Sequence, residues 1–188
     1  MSKNEMEEAI NYMRRDSAVK NKKGIAFIGA SIAVWLGVLL IQFMDLPIEI
    51  RNLYSWFSVS LLMPLALMLT KALGIKMQNK ENPLNKAGML FTMNQILYIC
   101  IVCWVYAAVP ERMIMVLAMV FGGHLLPFAW LYCSKAYAVS AVIVVIGSLI
   151  LGCRFPSWVV AAGMLAYECL FTLWLLVENM RNDIDNLN

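Results

Sequence analysis

The chain has 188 residues, of which 62% are hydrophobic and 14% charged, with a formal net charge of +3. Soluble domains carry about 25% charged residues, so this composition excludes an ordinary soluble domain and points to an integral membrane protein of one compact bundle. The basic residues form no stripe interleaved with aromatics, which excludes a nucleic-acid surface.

The leading segment, residues 1–23, places Met6, Ala9, Ile10 and Met13 at helical spacing, with acids preceding bases. It reads as a helix lying on anionic lipid or as a solvated helix that only supplies charge. Six apolar runs follow, at residues 24–43, 53–73, 89–109, 113–132, 136–153 and 157–177, before a short tail at 178–188. Each is long enough for the ~20 residues that cross a hydrocarbon core. The first exceeds a signal-peptide apolar region and lacks a small-residue cleavage site, so it reads as a retained helix. Only "CSKAY" separates the fourth run from the fifth. One helix through both would need ~40 residues, far more than a tilted span accommodates. The expectation is therefore an all-α polytopic bundle of six transmembrane helices in three hairpins.

Within the first run, Gly29, Ala33 and Gly37 form a small-residue stripe suited to close helix packing, within the subunit or across a homodimer. The connection "KMQNKENPLNKAG" contains Asn-Pro and reads as a turn. Tyr54, Trp56 and Phe57 open the second run and Trp158 the sixth, as an interfacial aromatic belt would. Twelve of the Lys and Arg residues flank one side: Lys3, Arg14, Arg15, Lys20, Lys22, Lys23, Lys71, Lys76, Lys80, Lys86, Lys135 and Arg181. Three flank the other, Arg51, Arg112 and Arg154. The positive-inside rule then puts both termini in the cytoplasm.

An internal echo links "LPIEI" and "LLMPLAL" to "VPERM" and "HLLPFAW", with equal spacing between Pro47 and Pro64 and between Pro110 and Pro127. It predicts hairpins repeated about an axis along the membrane normal.

At a rise of about 1.5 Å per residue, the lone histidine, His124, and Glu168 fall near the middle of the fourth and sixth runs. Pro64 and Pro127 mark the middle of the second and fourth. Each proline frees the carbonyl four residues before it, at Ser60 and Gly123, and such groups must meet protein, water or ligand. With Gly122 and Gly123 admitting a neighbouring helix, a polar mid-depth cavity is expected. Intramembrane ionisable residues are rare and usually face the bundle interior, so His124 and Glu168 could exchange a proton or bind a cation, or merely lock two helices. Asn94 and Tyr98 share a face at i,i+4; with Gln95 they are interhelical glue or line an approach to that cavity. Tyr167 and Tyr132 could extend the polar path.

The five cysteines, an odd number within or beside apolar runs, read as small core residues rather than a disulfide framework. "CIVC" and fourteen methionines do not make a soft-metal site without a second histidine. No metal or cofactor is expected, and no P-loop, nucleophile elbow or dinucleotide fingerprint occurs.

With "NKENPLNKAGMLFTMNQILY", "AVPERM" and "GGHLLPFAWLYCSKAY", most of the chain resembles a family of small multi-pass membrane proteins from Gram-positive bacteria that has no assigned function. The resemblance implies a bacterial plasma membrane and lends no residue a role. Three functions are compatible with this reading. The first is a small-solute, ion or proton-coupled permease or binding protein with a midplane site. The second is a membrane-embedded enzyme on a hydrophobic substrate, with His124 as base and Glu168 orienting it. The third is a structural or sensory accessory protein without a cavity.

Overall fold

Long apolar segments with few charges must satisfy their backbone groups internally, and helices do so. The computed structural model describes residues 2–75 and 81–185, with side chains described through Arg181. Among these, the regular structure is helical, without strands. The elements are α1 (Lys3–Lys20), α2 (Ile25–Gln42), α3 (Ile48–Ser60), α4 (Leu62–Ala72), α5 (Leu84–Ala108), α6 (Met113–Gly123), α7 (Leu125–Leu131), α8 (Lys135–Arg154) and α9 (Ser157–Asp185). Six helices, some of them composite, are long and apolar enough to cross a membrane: Lys22–Gln42, Ile48–Ala72, Leu84–Ala108, Pro110–Leu131, Lys135–Arg154 and Ser157–Arg181. The second begins at Ile48 rather than at the aromatic cluster, because Pro47 accepts the first backbone bonds from Ile50 and Arg51.

Two of these helices are broken, and in the same way. α3 gives way to α4 at Leu61 (φ −73°, ψ −10°), and α6 to α7 at His124 (φ −73°, ψ −13°). Each break lies three residues before a proline, Pro64 or Pro127. A proline ring cannot donate and clashes with the carbonyl of the preceding turn, so the helix loosens there. The boundary at "CSKAY" is sharp: Cys133 is left-handed (φ 49°), and Ser134 caps α8 by accepting from the Tyr137 N–H.

The tightest pairings are α2 with α9 and α6 with α8. α6 and α8 meet through reciprocal notches. A Cβ on Gly122 would stand 2.6 Å from Val144 Cγ1, and one on Gly152 would collide with Met115. α2 meets α3 at Gly37, where a Cβ would stand 2.5 Å from Ser58 Oγ, and Gly29 touches Leu69 of α4. The small-residue stripe is thus used within the subunit.

α5 leans on the edge of this core, with 11% of its most apolar stretch buried against 44% for the first span. All five cysteines are free and exposed on the outside of the bundle. The core reading made for them is corrected: lipid-facing and core-facing positions are equally apolar in sequence, so hydropathy cannot separate them.

α1 does not float. Ser2 and Glu5 form a capping box at its start. Arg14 donates from Nε to the Trp130 carbonyl at 2.7 Å and stacks over that ring at 4.7 Å. Asn82, next to the α5 start, donates to Met13 O, Asp16 and Ser17. Of the expected turn at 76–88, residues 76–80 lie outside the described residues.

Candidate functional site

Glu168 is fully buried, at 0% exposure, where α9 packs on α2. On α2, Ser31 and Trp35 stand one turn apart; on α9, Glu168 and Thr172 do the same. Glu168 Oε1, Trp35 Nε1 and Thr172 Oγ1 are buried without hydrogen-bond partners. Buried polar atoms are rarely left so, and these belong to a single helix pair.

The satisfied oxygen is informative. Ser31 Oγ lies 2.5 Å from Glu168 Oε2 and 2.6 Å from the Ile28 carbonyl. A serine hydroxyl carries one proton and can serve only one of these acceptors. Both contacts are hydrogen bonds when Glu168 carries a proton, donating it to Ser31 Oγ while Ser31 donates to Ile28 O. Loss of that proton turns the Ser31 hydroxyl onto the carboxylate. The arrangement therefore has two hydrogen-bonded forms that differ by one proton.

His124 occupies the α6–α7 break. Its ring sits edge-on to Phe121 at 5.3 Å and to Phe128 at 6.1 Å, and Phe121 in turn meets Trp35 at 6.1 Å. His124 Nδ1 is buried without a hydrogen-bond partner. No hydrogen bond or ion pair joins His124 to Glu168. The pairing that an enzyme with His124 as oriented base would use is not formed. Gly122 admits α8, whereas Gly123 is exposed and a Cβ there would meet nothing within 4 Å. The expectation that both glycines serve close approach is corrected for Gly123. Pro127 is half-buried beside them.

The remaining sequence-predicted residues do not converge on this place. Ser60 and Pro64 are exposed, and the Ser60 hydroxyl donates to Phe57 O within its own helix. Asn94 and Tyr98 share a face as expected, with Asn94 Nδ2 donating to Tyr98 Oη at 2.9 Å, but that face is exposed; Gln95 is half-buried. Tyr167 does reach the interior, where its hydroxyl donates to Ser140 at 3.1 Å and its ring packs against both larger core clusters. Among the described residues, no three or more His, Cys, Asp or Glu stand together as metal ligands would.

Residues 10–178 match a family of unknown function. The chain belongs to the DUF7010 family. No curated protein and no solved structure matches it.

The match to DUF7010 ends at Glu178, which anchors a second, partly buried polar centre that sequence reasoning missed. Lys23, 4% exposed, pairs with Glu178 Oε2 at 2.8 Å. Ser134 donates to the same oxygen at 2.7 Å, and the Ala136 N–H donates to Oε1 at 3.0 Å. The Tyr137 hydroxyl donates to Lys23 O, and Asn179 donates to Lys22 O. These contacts hold Lys22, Lys23 and Gly24 in consecutive left-handed conformations, φ 44°, 48° and 67°. In sequence, Lys23 is indistinguishable from the other flanking lysines. A run of left-handed residues between two helices leaves no composition signal when two of the three are lysine.

Proposed function

We propose that this protein spans a bacterial plasma membrane six times, with both termini cytoplasmic, and acts as a proton-linked permease or binding protein for a small solute or ion. Glu168 is its proton-exchange group, Ser31 is the hydroxyl that follows its protonation, and His124 is a second polar station at the helix break. Three hairpins, two of them related by the echo around Pro64 and Pro127, supply the scaffold. The reading rests on one observation: a carboxyl at 0% exposure, with one oxygen unsatisfied and the other sharing a single serine proton with Ile28 O. An intramembrane carboxyl is costly and usually functional. Helices broken at mid-depth are the elements on which alternating-access transporters build their sites.

A structural reading has its own support, since the Ser31–Glu168 contact joins the tightly packed α2 and α9. The two are separated by reconstituting wild-type and Glu168→Gln protein into vesicles. Proton uptake is followed with an entrapped pH dye, and the protonated-carboxyl stretch by infrared spectroscopy across pH. Wild type should pass protons, with or without an added solute, and show a titrating carboxyl band, both absent from the variant. Equal fluxes with an unchanged band would leave only the structural role.

A further inference from the structure

At the end of the bundle away from the termini, a cleft of about 320 Å³ opens between the last turn of α2, the start of α3, the 110–112 turn and the α8–α9 junction. Volumes of about 300 Å³ and above are those of small-molecule sites. Its charged lining is Arg51, Arg112 and Glu111, a net positive set. The Arg51 side chain makes no hydrogen bond or ion pair among the described residues, and its Nε is buried without a partner. A guanidinium is always charged and carries five donors in a planar fork, so a half-buried, unpaired one is open to an anionic acceptor. Arg112 is held in place by donating from Nη1 to the Gly152 carbonyl, made accessible where α8 ends, which leaves its other donors free. Ser157 and Trp158, the first residues of α9, line the same cleft, and the first turn of a long helix presents unpaired N–H groups and the positive end of its dipole. Neither arginine is neutralised by Glu111, which forms no ion pair among the described residues.

We propose that this cleft binds a phosphate-type oxyanion, gripped by the Arg51 and Arg112 guanidiniums at the start of α9. Two planar forks match the several oxygens of a phosphate, and charge-assisted bidentate bonds of this kind are the strong ones. The cleft is edged by two exposed aromatics, Phe155 and Trp158, and Phe43, just outside it, packs on Trp158 at 5.7 Å. Such rings settle at headgroup level. The phosphate can therefore come from a lipid headgroup or from a soluble phosphate ester. This inference does not depend on Glu168 and would stand if the proton-exchange reading failed.

The full-length protein in neutral detergent is titrated with inorganic phosphate and with glycerol 3-phosphate, following thermal stability. In parallel, retention of phosphatidylglycerol is measured by native mass spectrometry. Wild type should respond saturably to at least one probe. Arg51→Gln and Arg112→Gln should each weaken that response about tenfold, the scale of one lost charge-assisted bond. Glu111→Gln should strengthen it by a few-fold, because removing a like charge favours the anion. That variant keeps the proposal testable even if an arginine variant fails to fold. Arg154→Gln, outside the cleft, should leave it unchanged. A response to the soluble esters alone identifies a soluble ligand, and lipid retention alone identifies a headgroup. No response to any probe, or equal responses in wild type, Arg51→Gln and Glu111→Gln, overturns the proposal.

Discussion

Helix α9 carries two glutamates, one buried and one half-buried, that the protein treats in opposite ways. Glu178, near the shared end of α1 and α9, is met by a lysine, a hydroxyl and a backbone N–H. Glu168, in the middle of the same helix, has one serine contact and an oxygen with no partner. Taking a charge out of water is costly unless it is paired and hydrogen-bonded. The cost is met at Glu178 by ordinary neutralisation, and at Glu168 it is reduced whenever a proton is bound. A fully compensated group has nothing left to exchange; a half-compensated one does. On the proposed reading, the contrast separates a clamp from a site.

The largest expected effect falls on the clamp. Removing Lys23 leaves a half-buried Glu178 without its cation, at up to about 3 kcal/mol. Lys23→Met should therefore lower the thermal unfolding midpoint substantially in detergent. Lys23→Met combined with Glu178→Gln should recover much of the loss, because no unpaired charge remains. Failure of the double variant to recover would mean that the strained Lys22–Gly24 backbone, and not the charge, dominates there.

An intermediate effect is expected where α6 meets α8. Gly122→Ala forces a methyl into Val144 and should destabilise by about 1–3 kcal/mol. Its neighbour Gly123→Ala meets open space and should be neutral, or stabilising by up to about 1 kcal/mol, because alanine restricts the unfolded chain. Chemical or thermal denaturation of the two variants side by side checks this, and equal losses would contradict the geometry.

The smallest stability effect belongs to Glu168→Gln. Hydrogen bonds between membrane helices average about 0.6 kcal/mol, so the unfolding midpoint should move little, while any dependence of stability on pH that arises from this carboxyl should vanish. A loss as large as that of Lys23→Met would make Glu168 a second clamp and erase the contrast.

Much of this molecule was legible before its structure. The six long apolar helices follow from hydropathy, which is a sum over some twenty residues and tolerates local error. The breaks at Leu61 and His124 follow from Pro64 and Pro127, because the proline effect is local and covalent. Glu168 and His124 stood out as ionisable groups in apolar surroundings. What could not be read is pairing across the chain. Ser31 reaches Glu168 over 137 positions and Lys23 reaches Glu178 over 155, and a serine or lysine looks the same whether or not a partner waits for it. Facing was equally hidden. Ser60, Pro64, Asn94 and the cysteines are turned outward, and in a lipid-compatible sequence both sides of a helix are apolar. Arg51 and Arg112 counted only as minority charges in short loops until the fold brought them to one cleft.

The reciprocal notches between α6 and α8 have a kinematic consequence. With Val144 seated on Gly122 and Met115 on Gly152, sliding either helix along the other would drive side chain into side chain at two separated points. Packed interfaces of this kind shift in discrete jumps or not at all. The α6–α8 pair therefore behaves as a single strut, and any working stroke of the protein must be taken up outside it, at the breaks at Leu61 and His124 or by the loosely held α5.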